Sequence, residues 1–399
     1  MKKIPGNNKL LKEINRAAVL DLIRTSKAVS KAKLAQITGL SPTAIGSITS
    51  SLLEDGYIHE TGTTESKRGR KPTKLELKAG SYYSVGFDID VDCIGSTLID
   101  ITGQILYENY SPLPHGIDAE GTMGLIEKEI GFILEKYGIE MGRLLGAGIS
   151  IAGMVNYKTG EILLAPNLGW SNVDLKSYAV RFPNISFYVE NEARSSAICE
   201  NWIGSCTDIK DFVCINVKSG IGAGIFADGK IYRGVDGIAG EIGHIPVDEN
   251  GPRCGCGNYG CLETMASTQY IVENAKRLIR QGVVSSLNEI SDVDAIDLEA
   301  IVKAAKEGDE ASKGIFTESA RYLGIAISNI VNILNPSRIV IGKEFVKYSD
   351  LVIDYLRNFV SVKALKASST SVEIITSSMG ERSSVIGAAI IPLRLLFGK

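Results

Sequence analysis

The chain has 399 residues, 44% hydrophobic and 22% charged, the composition of a soluble globular protein with more than one core. No uncharged apolar run reaches about 18 residues, which excludes a membrane-spanning helix, and the opening Met1-Lys2-Lys3-Ile4-Pro5 is followed by an amphipathic stretch rather than an export signal, so a cytoplasmic protein is expected. Seven cysteines in such a chain read as thiols or metal-bound thiolates, not as a disulfide framework.

Charge is unevenly spread. Residues 1–80 carry 15 Lys+Arg against 7 Asp+Glu, and the remainder carries 28 against 39. A basic head on an acidic body suits a polyanionic partner for the head. Apolar residues Leu11, Ile14, Ala18 and Leu22 recur at helical spacing. Ser30 can cap a second helix ending at Gly39. Ser41 then fits an N-cap with Pro42 at the first helical position. On that third helix Ile45, Ile48 and Leu52 face inward, whereas Thr43, Ser47 and Ser50 form a small polar face. Two helices joined by a tight turn make a helix-turn-helix, whose second helix enters a major groove. Ser41, Thr43, Ala44, Ser47 and Ser50 are the expected base-edge contacts. Strands around residues 57–60 and 75–77 flank a loop carrying Lys67, Arg68, Arg70 and Lys71, a wing suited to phosphate contact. A winged helix-turn-helix domain over residues 1–78, binding double-stranded DNA, is therefore expected.

From residue 79 the chain alternates strands and helices. Ser84–Asp88, Gly95–Asp100 and Thr102–Leu106 form one strand–hairpin–strand–turn–strand unit. Val213–Val217, Ser219–Phe226 and Asp228–Ile231 form a second. Two such units predict two similar α/β lobes with a cleft between them. One lobe is expected over about 79–195 plus 380–399, the other over about 196–379. The glycines Gly220, Gly222 and Gly224 suit a backbone that approaches phosphates closely. In the first unit the turn reads Asp88-Ile89-Asp90-Val91-Asp92. Tyr322–Leu334 is apolar almost all round and predicts a buried helix stopped at Asn335-Pro336.

Between residues 243 and 263, His244, Cys254, Cys256 and Cys261 follow the spacing H-x9-C-x-C-x4-C. Three thiolates and an imidazole satisfy tetrahedral zinc, and a closed set of four indicates a structural site. Gly255, Gly257 and Gly260 let the chain curl around the ion. Cys93, Cys199, Cys206 and Cys214 read as small core residues.

This knuckle, with Gly240-Glu241-Ile242-Gly243-His244 before it and Glu263 after it, resembles the signature of the ROK family of repressors and sugar kinases, and the likeness spans the chain. The winged head resembles the repressor branch. The resemblance implies an actin/hexokinase-like body of residues 79–399, a monosaccharide effector (xylose or a hexose), and a homodimer or dimer of dimers; with no long apolar run, no membrane partner is expected. It also implies hydroxyl ligands at Asn167, Asn191, Glu192, Glu241, His244 and Glu263. Kinases of the superfamily resemble Asp-Ile-Gly-Gly-Thr at the first hairpin, and here Asp90, Val91 and Asp92 replace the last three residues. Added carboxylates repel a triphosphate. Glu192 stands where kinases have an aspartate base, and Lys343 follows Gly342 where they tend to have a second glycine. No ATP and no catalytic residue are therefore expected: the chain reads as a sugar-responsive repressor that does not phosphorylate its ligand. The alternatives are a sugar kinase with residual activity and a repressor controlled by a protein partner.

Overall fold

Local capping chemistry sets the first elements of this computed structural model, which describes residues 8–63 and 73–399. Helix α1 (Asn8–Ser26) leads through a two-residue strand β1 (Val29–Ser30) to α2 (Lys31–Thr38). The Ser30 hydroxyl accepts the Lys33 N–H at 3.3 Å, and Gly39 ends α2 at φ +71°, a left-handed cap. Ser41 then caps α3 (Pro42–Glu54). Strands β2 (Ile58–Thr63) and β3 (Thr73–Leu77) pair antiparallel, and β1 joins them in a three-stranded sheet. Ile45 and Leu52 are buried as expected, but Thr49 takes the third inward place and Ile48 is only half-buried. Thr49 tolerates burial because its hydroxyl donates to the Ile45 carbonyl at 2.8 Å.

The chain divides into two contact units, residues 1–150 with 167–189 and 388–399, and residues 151–166 with 190–387. The first unit holds the head and a sheet of order β11-β7-β4-β5-β6. Its members are β4 (Tyr83–Ile89), β5 (Cys93–Asp100), β6 (Ile105–Pro112), β7 (Leu144–Ile151) and β11 (Phe187–Asn191), with α4 (Ala119–Tyr137) between β6 and β7. Head and sheet are joined by aromatic packing: Tyr57 stacks on Tyr82 at 4.3 Å, with Arg16 over the Tyr57 ring and Arg143 over Tyr82. Short strands β8 (Met154–Asn156) and β9 (Glu161–Ala165) pair in the second unit, and β10 (Trp170–Val173) lies in the first.

The second unit is built around β12 (Phe212–Val217), β13 (Ile221–Ala227) and β14 (Lys230–Tyr232), preceded by α5 (Glu192–Trp202). After α6 (Glu263–Ala266), α7 (Thr268–Arg280), α8 (Leu298–Lys306) and α9 (Glu310–Leu334) come β15 (Arg338–Lys343), α10 (Ser349–Lys363), α11 (Lys366–Ser369) and β16 (Glu373–Thr376). Sheet order is β14-β13-β12-β15-β16. Strands β12, β15 and β16 run parallel, while β12–β13–β14 is an antiparallel meander. Val213, Ile215, Ile339 and Ile341 pack with Ile327 and Val331 of α9 in one core. Most of Tyr322–Val331 in α9 is buried, with Asn329 exposed; Asn332, Ile333 and Leu334 are exposed, and Asn335 caps the helix at φ +45°.

The last helix, α12 (Ser383–Leu396), leans on close-approach glycines. A Cβ at Gly387 would sit 1.7 Å from the Ser195 carbonyl oxygen, and one at Gly148 would sit 1.8 Å from that of Ala388. After α12 the chain end packs on α1, with Lys399 Nζ 2.9 Å from Asp21 and Arg24 over the Phe397 ring. Among the described residues no helix is long and apolar enough to cross a membrane.

Candidate functional site

Four donor atoms converge in the second unit. His244 ends a single 3-10 turn (Ile242–His244). Cys254, Cys256 and Cys261 lie on the loop that follows, folded back by bridges from Pro246 to Cys261 and from Arg253 to Tyr259. All four ligand atoms lie within 4.8 Å of one another. Cys254 Sγ is 3.6 Å from His244 Nδ1, and Cys256 Sγ is 3.7 Å from Cys261 Sγ. Tetrahedral zinc with bonds of about 2.3 Å places its sulfur ligands roughly 3.8 Å apart. The cluster is compatible with structural zinc. Gly260 makes the curl possible: it lies at φ +60°, and a Cβ there would meet the Asp248 carbonyl oxygen at 1.5 Å. Gly257 also needs its positive φ of 93°. Gly255 does not belong with them, because its φ is ordinary and a Cβ would meet nothing within 4 Å.

This loop orders three side chains expected to face a sugar. Glu241 directly precedes the His244 turn, and Glu263 opens α6. The Glu263 Oε2 accepts the Ile221 N–H at 3.2 Å, which ties it to the second hairpin. Burial pushes the Glu241 carboxyl up, opposed by His244 and Arg194 and reinforced by Glu263. With Nδ1 turned to the thiols, His244 keeps Nε2 for another partner.

The start of α5 supplies two more. Asn191 is its N-cap: the side-chain oxygen accepts the Ala193 and Arg194 N–H groups at 2.9 and 3.2 Å, and its amide donates to the Gly153 carbonyl at 3.0 Å. Glu192, the first helical residue, has Oε1 at 2.7 Å from Lys343 Nζ. Behind them Glu190 is buried between Arg194 at 2.6 Å and Arg233 at 2.8 Å. Burial opposes ionisation of Glu190, but the two guanidiniums outweigh it and hold the carboxyl below its ordinary range. Arg194 also reaches the Ala239 carbonyl, joining the start of α5 to the loop that carries Glu241. Five expected sugar ligands thus stand in the second unit. Asn167 stands in the first, exposed on a 3-10 turn (Pro166–Leu168).

The two hairpin turns differ. In the first, Asp90 N–H donates to the Cys93 carbonyl and the Asp90 carboxylate accepts the Val91 N–H at 2.7 Å, with Asp92 exposed. In the second, the glycines serve packing. A Cβ at Gly224 would lie 2.4 Å from the Ala193 carbonyl oxygen and 2.5 Å from Ala197 Cβ; one at Gly222 would lie 3.3 Å from Ala193 Cβ, and one at Gly220 2.9 Å from Glu263 Oε2. The sequence suggested a phosphate turn; in the structure α5 crowds Gly222 and Gly224, while Gly220 faces only the end of the Glu263 side chain.

On the head, Thr43, Ser47 and Ser50 of α3 are exposed and Ala44 is half-buried. The Ser41 hydroxyl accepts the Ala44 N–H at 3.2 Å, so its first task is capping. Lys67, Arg68, Arg70 and Lys71 lie outside the described residues.

A family model described as "ROK family" matches residues 84–394. The chain belongs to the ROK family. It is 34% identical over 382 residues to a xylose repressor of Caldicellulosiruptor bescii, covering 96% of each chain. It is 30% identical over 393 residues to the DNA-binding transcriptional dual regulator NagC of Escherichia coli K12, covering 98% of this chain and 96% of that one. Among solved structures, a ROK family transcriptional regulator described as a homologue of the E. coli MLC protein matches with TM-score 0.86 and 29% identity, over 97% of both chains. A ROK family glucokinase of Streptomyces griseus, solved with glucose and AMPPNP, matches with TM-score 0.66 and 28% identity. It is covered to 98% of its own length yet covers only 77% of this chain.

Sequence reasoning for this ROK protein missed two features of the site. The Glu190–Arg194–Arg233 cluster gave no local signal beyond an i,i+4 pair, since Arg233 arrives from a distant loop. The Lys343–Glu192 contact joins residues far apart in the chain within the second unit, and the sequence flagged each only separately.

Proposed function

We propose that this protein is a sugar-responsive DNA-binding repressor of carbohydrate-utilisation genes, acting as a homodimer or a dimer of dimers. One observation carries the reading. Repressors and a regulator match the chain from end to end, whereas a glucokinase matches only 77% of it. The family model begins at residue 84, so the head lies outside it, and α3 of the head presents a small polar face suited to base edges. The basic wing residues Lys67, Arg68, Arg70 and Lys71 would add phosphate contacts.

The effector would be a monosaccharide, xylose or a hexose, bound by Asn167, Asn191, Glu192, Glu241, His244 and Glu263. Carboxylates and amides supply the acceptors and donors that a polyol demands. Zinc held by His244, Cys254, Cys256 and Cys261 would supply no chemistry of its own to the ligand; it fixes the loop on which Glu241 and His244 stand. The sugar would act by binding two conformations unequally, so that paired heads change their fit to two half-sites. The first hairpin, with Asp90 and Asp92, supports a site that takes no ATP.

The test is a DNA fragment selected from a random pool by the full-length protein. Its affinity should change when D-xylose, D-glucose or N-acetyl-D-glucosamine is added. Ser47→Glu, which puts a charge on the exposed face of α3, should weaken DNA binding by about 100-fold without lowering the melting temperature. The likeness to a glucokinase supports a second reading, a sugar kinase with residual activity. ADP formed in step with sugar phosphate would establish it.

A further inference from the structure

Lys343 closes β15 at φ +62° and ψ −140°, a conformation that L residues rarely adopt. A glycine would sit there at ease, yet the chain has a lysine whose side chain is only 4% exposed. Its ammonium is fully engaged. It lies 2.7 Å from Glu192 Oε1, donates to the Ser384 hydroxyl at 2.6 Å and reaches the Glu381 carbonyl at 3.3 Å. An ammonium has three donors and no acceptor, and burying one without such partners carries a large desolvation cost. The backbone irregularity, the burial and the three acceptors all concern one side chain. They converge on the first residue of α5 and on the entry to α12.

We propose that Lys343 is a built-in cation that positions Glu192 for the effector. The inference rests on the reading of Glu192 as a hydroxyl ligand. Ammonium contact at Oε1 fixes the carboxylate's rotamer, so that the effector meets an acceptor already in place. The same contact occupies Oε1, so a hydroxyl of the effector meets a carboxylate already held on one side. Lys343 thus acts through Glu192.

The experiment is a double-mutant cycle on the full-length protein: wild type, Lys343→Met, Glu192→Gln and the double variant. Thermal melting is read first, then calorimetric titration with D-xylose, D-glucose and N-acetyl-D-glucosamine. Glu192→Gln strands a buried ammonium and Lys343→Met a part-buried carboxylate, and either should lower the melting temperature by several degrees. The double variant should recover most of that loss, a rescue that a lysine serving only as packing would not give. Sugar affinity should fall at least about tenfold in Lys343→Met. Should that variant fail to fold, Lys343→Gly carries the same cycle, because glycine suits the backbone. Additive losses overturn the pairing, and a sugar affinity unchanged in Lys343→Met overturns the positioning role. A wild-type protein that binds none of the three sugars sinks the effector reading, while the melting cycle still decides the pair.

Discussion

The β4–β5 and β12–β13 hairpins hold the same place in two sheets of matching order, β11-β7-β4-β5-β6 and β16-β15-β12-β13-β14, yet their turns are built from opposite chemistries. The first turn carries Asp90 and Asp92 and satisfies its own backbone through the Asp90 side chain. The second is glycine-rich, and each of Gly220, Gly222 and Gly224 has a neighbour where a Cβ would go. The difference teaches that a hairpin's glycines answer to whatever leans on them. In the second unit that is α5 at Gly222 and Gly224, and the end of the Glu263 side chain at Gly220.

Removing metal should have the largest effect and should fall on the second unit. Cys256→Ser, or a strong chelator, should cost on the order of 5 kcal/mol or more, because a closed site stores folding energy in its ion. Metal content of freshly purified protein, measured alongside denaturant unfolding, checks this; full stability without zinc would remove the knuckle's role.

Next comes the carboxylate behind α5. Glu190→Gln leaves Arg194 buried with a weaker partner and should cost about 3–5 kcal/mol at neutral pH. The Glu190 carboxyl is held low in the folded state, so its stabilisation is present above the ordinary carboxylate range and fades as pH falls through the folded value. Unfolding curves from pH 7 to pH 3 should therefore fall less steeply for the variant than for wild type. Parallel curves would show that the network does not titrate as the geometry requires.

Gly224→Ala bears on the hairpins themselves. Its new methyl meets the Ala193 carbonyl oxygen at 2.4 Å, and the expected loss is about 1–3 kcal/mol. A neutral result would return the glycine to the role of a phosphate turn. The matching change in the first hairpin, Asp92→Thr, touches an exposed side chain and should alter stability by no more than about 0.5 kcal/mol. It should also confer no ATP binding in a calorimetric titration. The smallest effect expected is on the wing: Arg70→Ala should reduce the salt slope of DNA binding by about one and leave sequence preference unchanged.

Much of the head could be read directly from the chain, because its signals are local. Ser30, Gly39, Ser41 and Pro42 each act within a turn of where they stand, and each does so in the structure. The inward face of α3 was read less well: a threonine that bonds to its own helix is as buriable as an isoleucine, and spacing alone does not reveal this. The histidine–cysteine cluster was legible for the same reason as the caps, since three cysteines fall within eight residues. The hairpin glycines were legible as a tight turn, but their neighbours were not. Sequence can say that something approaches a glycine closely, but here the approaching group was the Ala193 carbonyl of a helix that precedes the strand. Lys343 was legible as an oddity and illegible as a contact, because its partner Glu192 is distant in the chain, at the start of α5.

The most direct measurement is the DNA affinity of the full-length protein, by fluorescence anisotropy on its selected fragment, with and without D-xylose, D-glucose or N-acetyl-D-glucosamine. The result expected is a shift of at least about tenfold for one of these sugars, unchanged by adding ATP. An affinity that no sugar alters would contradict it.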